Sequence, residues 1–202
     1  MEEIIIDTEN KEQNQLQDKK RHFMAEFLDY IEVFVFALCF VIILFSCFVR
    51  LCVVDGPSME NTLFDNEKLL VSNFAYTPEA GDIVVFHQTG NYYNQPIVKR
   101  VIAVEGETVD IKYGYHKMTV TVTDTNGNQR VLEEPYIKMA DVDRYRTSYS
   151  EKVPEGHLFV LGDNRNHSAD SRTDEIGMVD ERRVLGKVIF RVLPFSRIGT
   201  VD

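Results

Sequence analysis

The chain has 202 residues, 44% hydrophobic and 27% charged, enough for one ordinary folded domain with appendages. A net charge of −10 excludes a nucleic-acid binder, which needs a basic face; beyond residue 60 no basic cluster exceeds short pairs such as Lys99-Arg100 and Arg182-Arg183. Cys39, Cys47 and Cys52 all lie in or at the end of one apolar run, so the 150 residues after them hold no disulfide and no cysteine-based metal site.

Residues 1–30 are polar and acidic and are expected to form a flexible or weakly helical tail. The run "VFVFALCFVIILFSCFV", Val33 to Val49, follows, with Ser46 its only clearly polar side chain. Extended to residues 31–52, it is long enough for one transmembrane helix and lacks the polar stripe of a buried soluble helix. A cleaved secretory leader would have a shorter apolar core ending in small residues; "SCFVRLCVVDG" offers no such site, so an uncleaved signal anchor is expected. Lys19, Lys20 and Arg21 precede the span and Arg50 alone follows it closely. The excess of cations before the span places the N-terminus in the cytoplasm and residues 53–202 outside.

The remainder reads as antiparallel β. "EKLLVSNFAY", "GDIVVFHQ", "QPIVKRVIAVEG", "ETVDIKYG", "MTVTVTDTNGNQRVLEE", "GHLFVLGDN" and "RVLGKVIFRVLPF" are short runs of strand formers separated by turn residues. Asn126-Gly127 suits a hairpin turn. Two packed sheets or a coiled, partly open barrel is the expected architecture, with a more polar excursion at about 111–150.

Three stretches carry potential chemistry. In "DGPSMENTLF", Ser58 follows a Gly-Pro turn; alone it is a turn or helix-cap residue. In "QPIVKRVIAV", Lys99 interrupts an apolar strand and shares a face with Ile97, Val101 and Ala103, while Arg100 shares the other with Val98 and Ile102. One of the two cations must therefore face apolar neighbours, or the lysine guards an edge strand. A solvated lysine, with a pKa of about 10.4, accepts no proton at neutral pH. Burial lowers that value, and a neutral lysine beside a serine hydroxyl is a Ser-Lys dyad. The third stretch, "LGDNRNHSADSR" at 161–172, is a polar loop straight after an apolar strand. Side-chain to backbone bonds would account for it; calcium fits poorly because Arg165 stands where an oxygen ligand is needed. Of His87, His116, His157 and His167, none stands in a motif that would place it against Ser58.

Together "GPSMENTL", "GDIVVF" at 81–86, "VKRVIAVEGE" at 98–107 and "GDNRNHSADSR" at 162–172 resemble the bacterial type I signal peptidases, from the membrane segment to the C-terminus. The resemblance implies the signal peptidase-like β fold and gives Ser58 the role of nucleophile and Lys99 that of general base. It implies that Ser168 orients the lysine amine, and that Asp170 and Arg172 form an ion pair, joined by Arg100, that holds the loop. Gly162, Asp163 and Asn164 become turn positions of that loop. Two positions depart from the family pattern. Gly56 stands where some members carry an oxyanion-binding serine, leaving the Ser58 N–H as main donor, and Asn61 stands where a proline is usual.

The activity implied is hydrolysis that removes signal peptides from secreted preproteins, at the bacterial plasma membrane, without metal or cofactor. The expected partners are signal peptides and the lipid bilayer, with no obligate protein subunit. The implied cleavage site has small residues just before the cut and two positions earlier; the substrate is expected to lie extended along a strand edge. Two alternatives are a Ser-Lys self-cleaving regulator, against which the apolar run argues, and an inactive membrane-anchored β module, against which the filled dyad positions argue.

Overall fold

The computed structural model describes residues 2–88, 95–114, 117–137 and 148–201, with their side chains described from residue 19 onward except at 44, 45, 47 and 117. The chain forms two units, Met1–Cys47 and Phe48–Asp202. The first is helical: α1, Glu2–Phe48, takes up both the expected tail and most of the apolar run. Phe23, Phe27, Val33, Phe34, Phe36 and Phe40 on it are exposed. Among the described residues no helix is long and apolar enough to cross a membrane. The span expected at 31–52 includes 44, 45 and 47, whose side chains lie outside the described set.

The helical part of that segment also ends earlier than expected. Val49–Val53 form a strand, β1, paired antiparallel with β2, Lys68–Ser72, in the register Leu51↔Leu70. Apolarity alone does not separate helix from strand, and here β2 supplies the ladder that valine-rich residues favour.

The second unit holds two antiparallel sheets. In the larger, β1, β2, β11 (Val184–Leu193), β3 (Ile83–Phe86), β4 (Ile97–Ala103), β9 (His157–Leu161) and β10 (Val179–Asp180) lie side by side in that order. Register shifts along β11, at Val184/Gly186, Val188/Phe190 and Arg191/Leu193, let one strand bend to pair with both β2 and β3, and the sheet curls accordingly. Gly186 permits this: a Cβ there would stand 2.4 Å from the Ser72 carbonyl oxygen. β3 is buried at all four residues, so both its faces are covered.

In the smaller sheet, β7 (Gln129–Val131), β6 (Lys117–Thr123), β5 (Thr108–Gly114) and β8 (Tyr149–Lys152) are neighbours in that order. The excursion expected at 111–150 is this sheet. It looks polar in sequence because Thr, Lys and Asp alternate with Val109, Ile111, Val120 and Val122, all buried against Ile102, Phe159 and Leu161 of the larger sheet. Its hairpin turns at Asn126-Gly127, where Gly127 has φ +87° and the Asp124 carboxylate accepts the N–H groups of Asn126 and Asn128.

Candidate active site

Ser58 sits on a single turn of chain between β1 and β2. Gly56 enters it at φ +86°, a conformation glycine adopts without strain, and donates its N–H to Asp65 Oδ1 at 2.8 Å. The Met59 carbonyl accepts the N–H groups of Thr62 and Leu63, at 3.1 and 2.8 Å. Met59 and Leu63, one turn apart, are buried in the core beneath β1 and β2. Removing each side chain from water stabilises the turn by about 1.5–3 kcal/mol. Ser58 stays half-buried and lines a cleft of about 280 Å³ with Lys99. Asn61 adopts φ +84°, which asparagine tolerates and the proline usual at that position does not.

Lys99 comes from β4, opposite Val84 of β3. It is 3% exposed and Arg100 is 4% exposed, so both cations are buried where the sequence required only one to be. The Lys99 Nζ lies 2.7 Å from Ser58 Oγ and 3.0 Å from the Val98 carbonyl oxygen. Burial pulls the Lys99 pKa down to about 8, with Asp170 and Asp163 drawing it partly back. A substantial neutral fraction therefore exists at mildly alkaline pH, and the neutral amine has a lone pair for the Ser58 proton.

The loop 162–172 packs against both residues. A Cβ on Gly162 would meet Ser168 Oγ at 2.2 Å and the Ser58 carbonyl oxygen at 2.5 Å, so only glycine lets the loop approach the serine. Asn164 hooks onto the serine turn, its backbone N–H donating to the Ser58 carbonyl and its side-chain amide to the Pro57 carbonyl, each at 3.1 Å. Asp170 is fully buried and forked by Arg172, Nε to Oδ1 at 2.7 Å and Nη2 to Oδ2 at 2.8 Å; the Gly162 N–H adds a third bond at 3.1 Å. Burial works against its charge, but this fork and the added donor hold the carboxyl below its usual range.

Two expectations about the loop are corrected. Arg100 makes its fork with Asp163, at 3.0 and 2.9 Å, and not with the Asp170–Arg172 pair. It also donates to the Gly81 carbonyl and lies 4.0 Å from the Tyr136 ring centre. Period-two alternation explains this, since Arg100 projects from the face opposite Lys99. Ser168 is close to Ser58 but does not hydrogen-bond the Lys99 amine. Its hydroxyl stands beside the Asp170 carboxylate, which it helps keep ionised, and 3.4 Å from the Ala169 carbonyl oxygen. An ionised carboxylate is the stronger acceptor of the two.

The Ser58 N–H donates to no protein group among the described residues and is available to an oxyanion, whereas the Gly56 N–H is taken by Asp65. Among the described residues no histidine lines the cleft; His87 and His167 are exposed, and His116 lies outside the described residues. Sequence reasoning missed Thr62, whose hydroxyl donates to Asp163, and the buried Glu134–Arg165 pair that holds the loop from the segment following β7. A threonine four residues after the serine carries a weak local signal; the Glu134 contact spans a sequence separation no short pattern covers.

The family model described as signal peptidase, peptidase S26, matches residues 27–193. Signal peptidase I of Bacillus licheniformis is 31% identical over 92% of this chain and 99% of its own length. Signal peptidase IB of Staphylococcus aureus is 34% identical over 85% of this chain and 92% of its own. A protein of Synechocystis named probable signal peptidase I-1 is 34% identical over 72% of each chain. A solved signal peptidase I from Enterococcus faecalis is 30% identical, covering 56% of this chain and 97% of that one, at a TM-score of 0.41. The chain belongs to the signal peptidase family, peptidase S26, and is a hydrolase of the signal peptidase I type, a signal-peptide-removing peptidase.

Proposed function

We propose that Ser58 and Lys99 form a catalytic dyad in a membrane-anchored endopeptidase that releases secreted proteins from their signal peptides. The observation that carries this reading is the 2.7 Å contact between Lys99 Nζ and Ser58 Oγ in a site dry enough to lower the lysine's pKa to about 8. Neutral Lys99 takes the hydroxyl proton as Ser58 Oγ attacks the scissile carbonyl carbon. The Ser58 N–H stabilises the resulting oxyanion, and the Lys99 ammonium returns its proton to the departing amine. A water that gives its proton to Lys99 then hydrolyses the ester, and the proton passes back to Ser58 Oγ. The two cleft walls, 53–55 and 95–98, suit a peptide lying between them, and Val53, Val54, Ile97 and Val98 suit small apolar side chains.

The membrane anchor is α1, supported by the apolar run from Val33 to Val49 and by the exposed Phe and Val side chains along the helix. Its N-terminus is cytoplasmic, from the lysines and arginine at 19–21. From Phe48 to Ser58 the chain reaches at most about 35 Å, which keeps the serine near the surface where a signal peptide emerges.

Processing of a preprotein by the wild type beside Ser58→Ala and Lys99→Ala tests the dyad. Each single variant is expected to lose processing while keeping its fold, and the double variant to be no worse. Lys99→Arg is expected to stay inactive, because a guanidinium remains protonated at any usable pH. Near-normal cleavage by any of these variants contradicts the dyad.

A further inference from the structure

We propose that Thr62 is a positioning residue that sets the Ser58–Lys99 distance, by tying the turn that bears the serine to the strand that bears the lysine through Asp163 and Arg100. The proposal rests on the dyad reading and adds to it a residue that does not line the cleft.

Ser58 and Lys99 stand 41 residues apart and meet only at their side-chain tips. Such a contact keeps its length only if the two backbones are tied together. Thr62 belongs to the same hydrogen-bonded turn as Ser58, through its N–H to the Met59 carbonyl at 3.1 Å. Its hydroxyl donates to Asp163 Oδ2 at 2.5 Å. Asp163 is fully buried and forked by Arg100, at 3.0 and 2.9 Å. Arg100 is the next residue to Lys99 in β4. The links close a ring: Ser58 to Thr62 along the turn, then to Asp163, to Arg100, to Lys99 across one peptide bond, and back to Ser58.

The other side of Thr62 is held as well. Its carbonyl accepts from Arg191 Nη1 at 3.0 Å and Arg197 Nη2 at 3.3 Å. Both guanidiniums are fixed on Glu67, a carboxylate 2% exposed, at 3.1 and 2.7 Å. Asp163 is charge-compensated by Arg100 without Thr62, since a carboxylate forked by two N–H groups is already paired. The threonine hydroxyl therefore contributes location more than neutralisation. A displacement of about 1 Å at a reacting pair lowers a rate about 100-fold.

The test compares full-length wild type, Thr62→Val and Thr62→Ser in detergent micelles. It reads kcat and KM on a preprotein, the thermal midpoint, and the Lys99 titration by NMR of lysine labelled at Cε. Thr62→Val is expected to lower kcat about 10- to 100-fold with KM within about twofold. Its Lys99 inflection should move from about 8, because the amine loses its fixed 2.7 Å partner in Ser58 Oγ while its burial and the pull of Asp163 and Asp170 are rebalanced. Thr62→Ser, which keeps the hydroxyl, should restore both. Thr62→Ala is read in the same way if valine disturbs packing. Wild-type kcat and an unmoved Lys99 titration in Thr62→Val overturn the proposal, as does a loss that Thr62→Ser fails to restore or that merely tracks an unfolded fraction. A wild type that does not process preprotein counts against the dyad reading; the titration, which needs no substrate, then decides on Thr62 alone.

Discussion

At Lys99 the requirements of folding and of chemistry oppose each other. Its ordinary pKa of 10.5 falls to about 8 because the folded protein buries it. Between those values the unfolded chain binds a proton that the folded chain does not, so stability rises with pH across that window. Below about 8 both states hold the proton and the full penalty, about 3 kcal/mol, is present. Lys99→Met should therefore be inactive yet more stable than wild type at pH 7, by up to about 3 kcal/mol, with the advantage fading above about pH 10. Denaturant melts of both proteins at pH 7 and pH 10 measure this. A methionine variant less stable than wild type at pH 7 would mean that burial is not what lowers the lysine's pKa.

Among the elements, the loop 162–172 shows how backbone space and buried charge serve the site together. Gly162→Ala places a Cβ inside contact distance of Ser168 and of the Ser58 carbonyl, and backbone cannot yield as a flexible side chain can. Processing should fall below detection, with a clear drop in thermal midpoint; wild-type behaviour would show that the loop does not approach the serine this closely. Asp170→Asn leaves Arg172 buried without its counter-charge, a change expected to destabilise by about 3–5 kcal/mol in chemical denaturation. The loop's position after β9 and its glycine were legible in the sequence, because both are local. Its pairings beyond Asp170–Arg172 were not. Arg100 meeting Asp163, and Ser168 turning toward Asp170, depend on which face of β4 each side chain takes and on how closely three separate segments approach. The apolar strands were legible as short runs of strand formers between turn residues, whereas β1 hid inside a longer apolar run and β8 was too short and polar to stand out.

For the whole molecule, the boundary at Cys47–Phe48 separates a helical unit from a β unit with its own cores. The β unit holds Ser58, Lys99 and their supporting residues, so a protein starting at residue 48 should fold and cleave short peptides. Its processing of membrane-inserted preprotein should fall by about 100-fold or more, because the shared plane no longer raises the effective concentration. Equal processing by full-length and truncated protein in vesicles would remove the anchor from the mechanism. Protease added outside spheroplasts should digest the β unit and spare the first 30 residues; the opposite pattern reverses the orientation.

The dependence of kcat/KM on pH bears most directly on Lys99 as the base. With a neutral lysine required in the free enzyme, log(kcat/KM) should rise on the acid side to an inflection near 8, where burial sets the amine, and no histidine substitution should remove it. An acid limb centred near about 6.5 that disappears when one histidine is replaced, or one near about 10.4 as for a solvated lysine, would contradict the Ser58–Lys99 dyad.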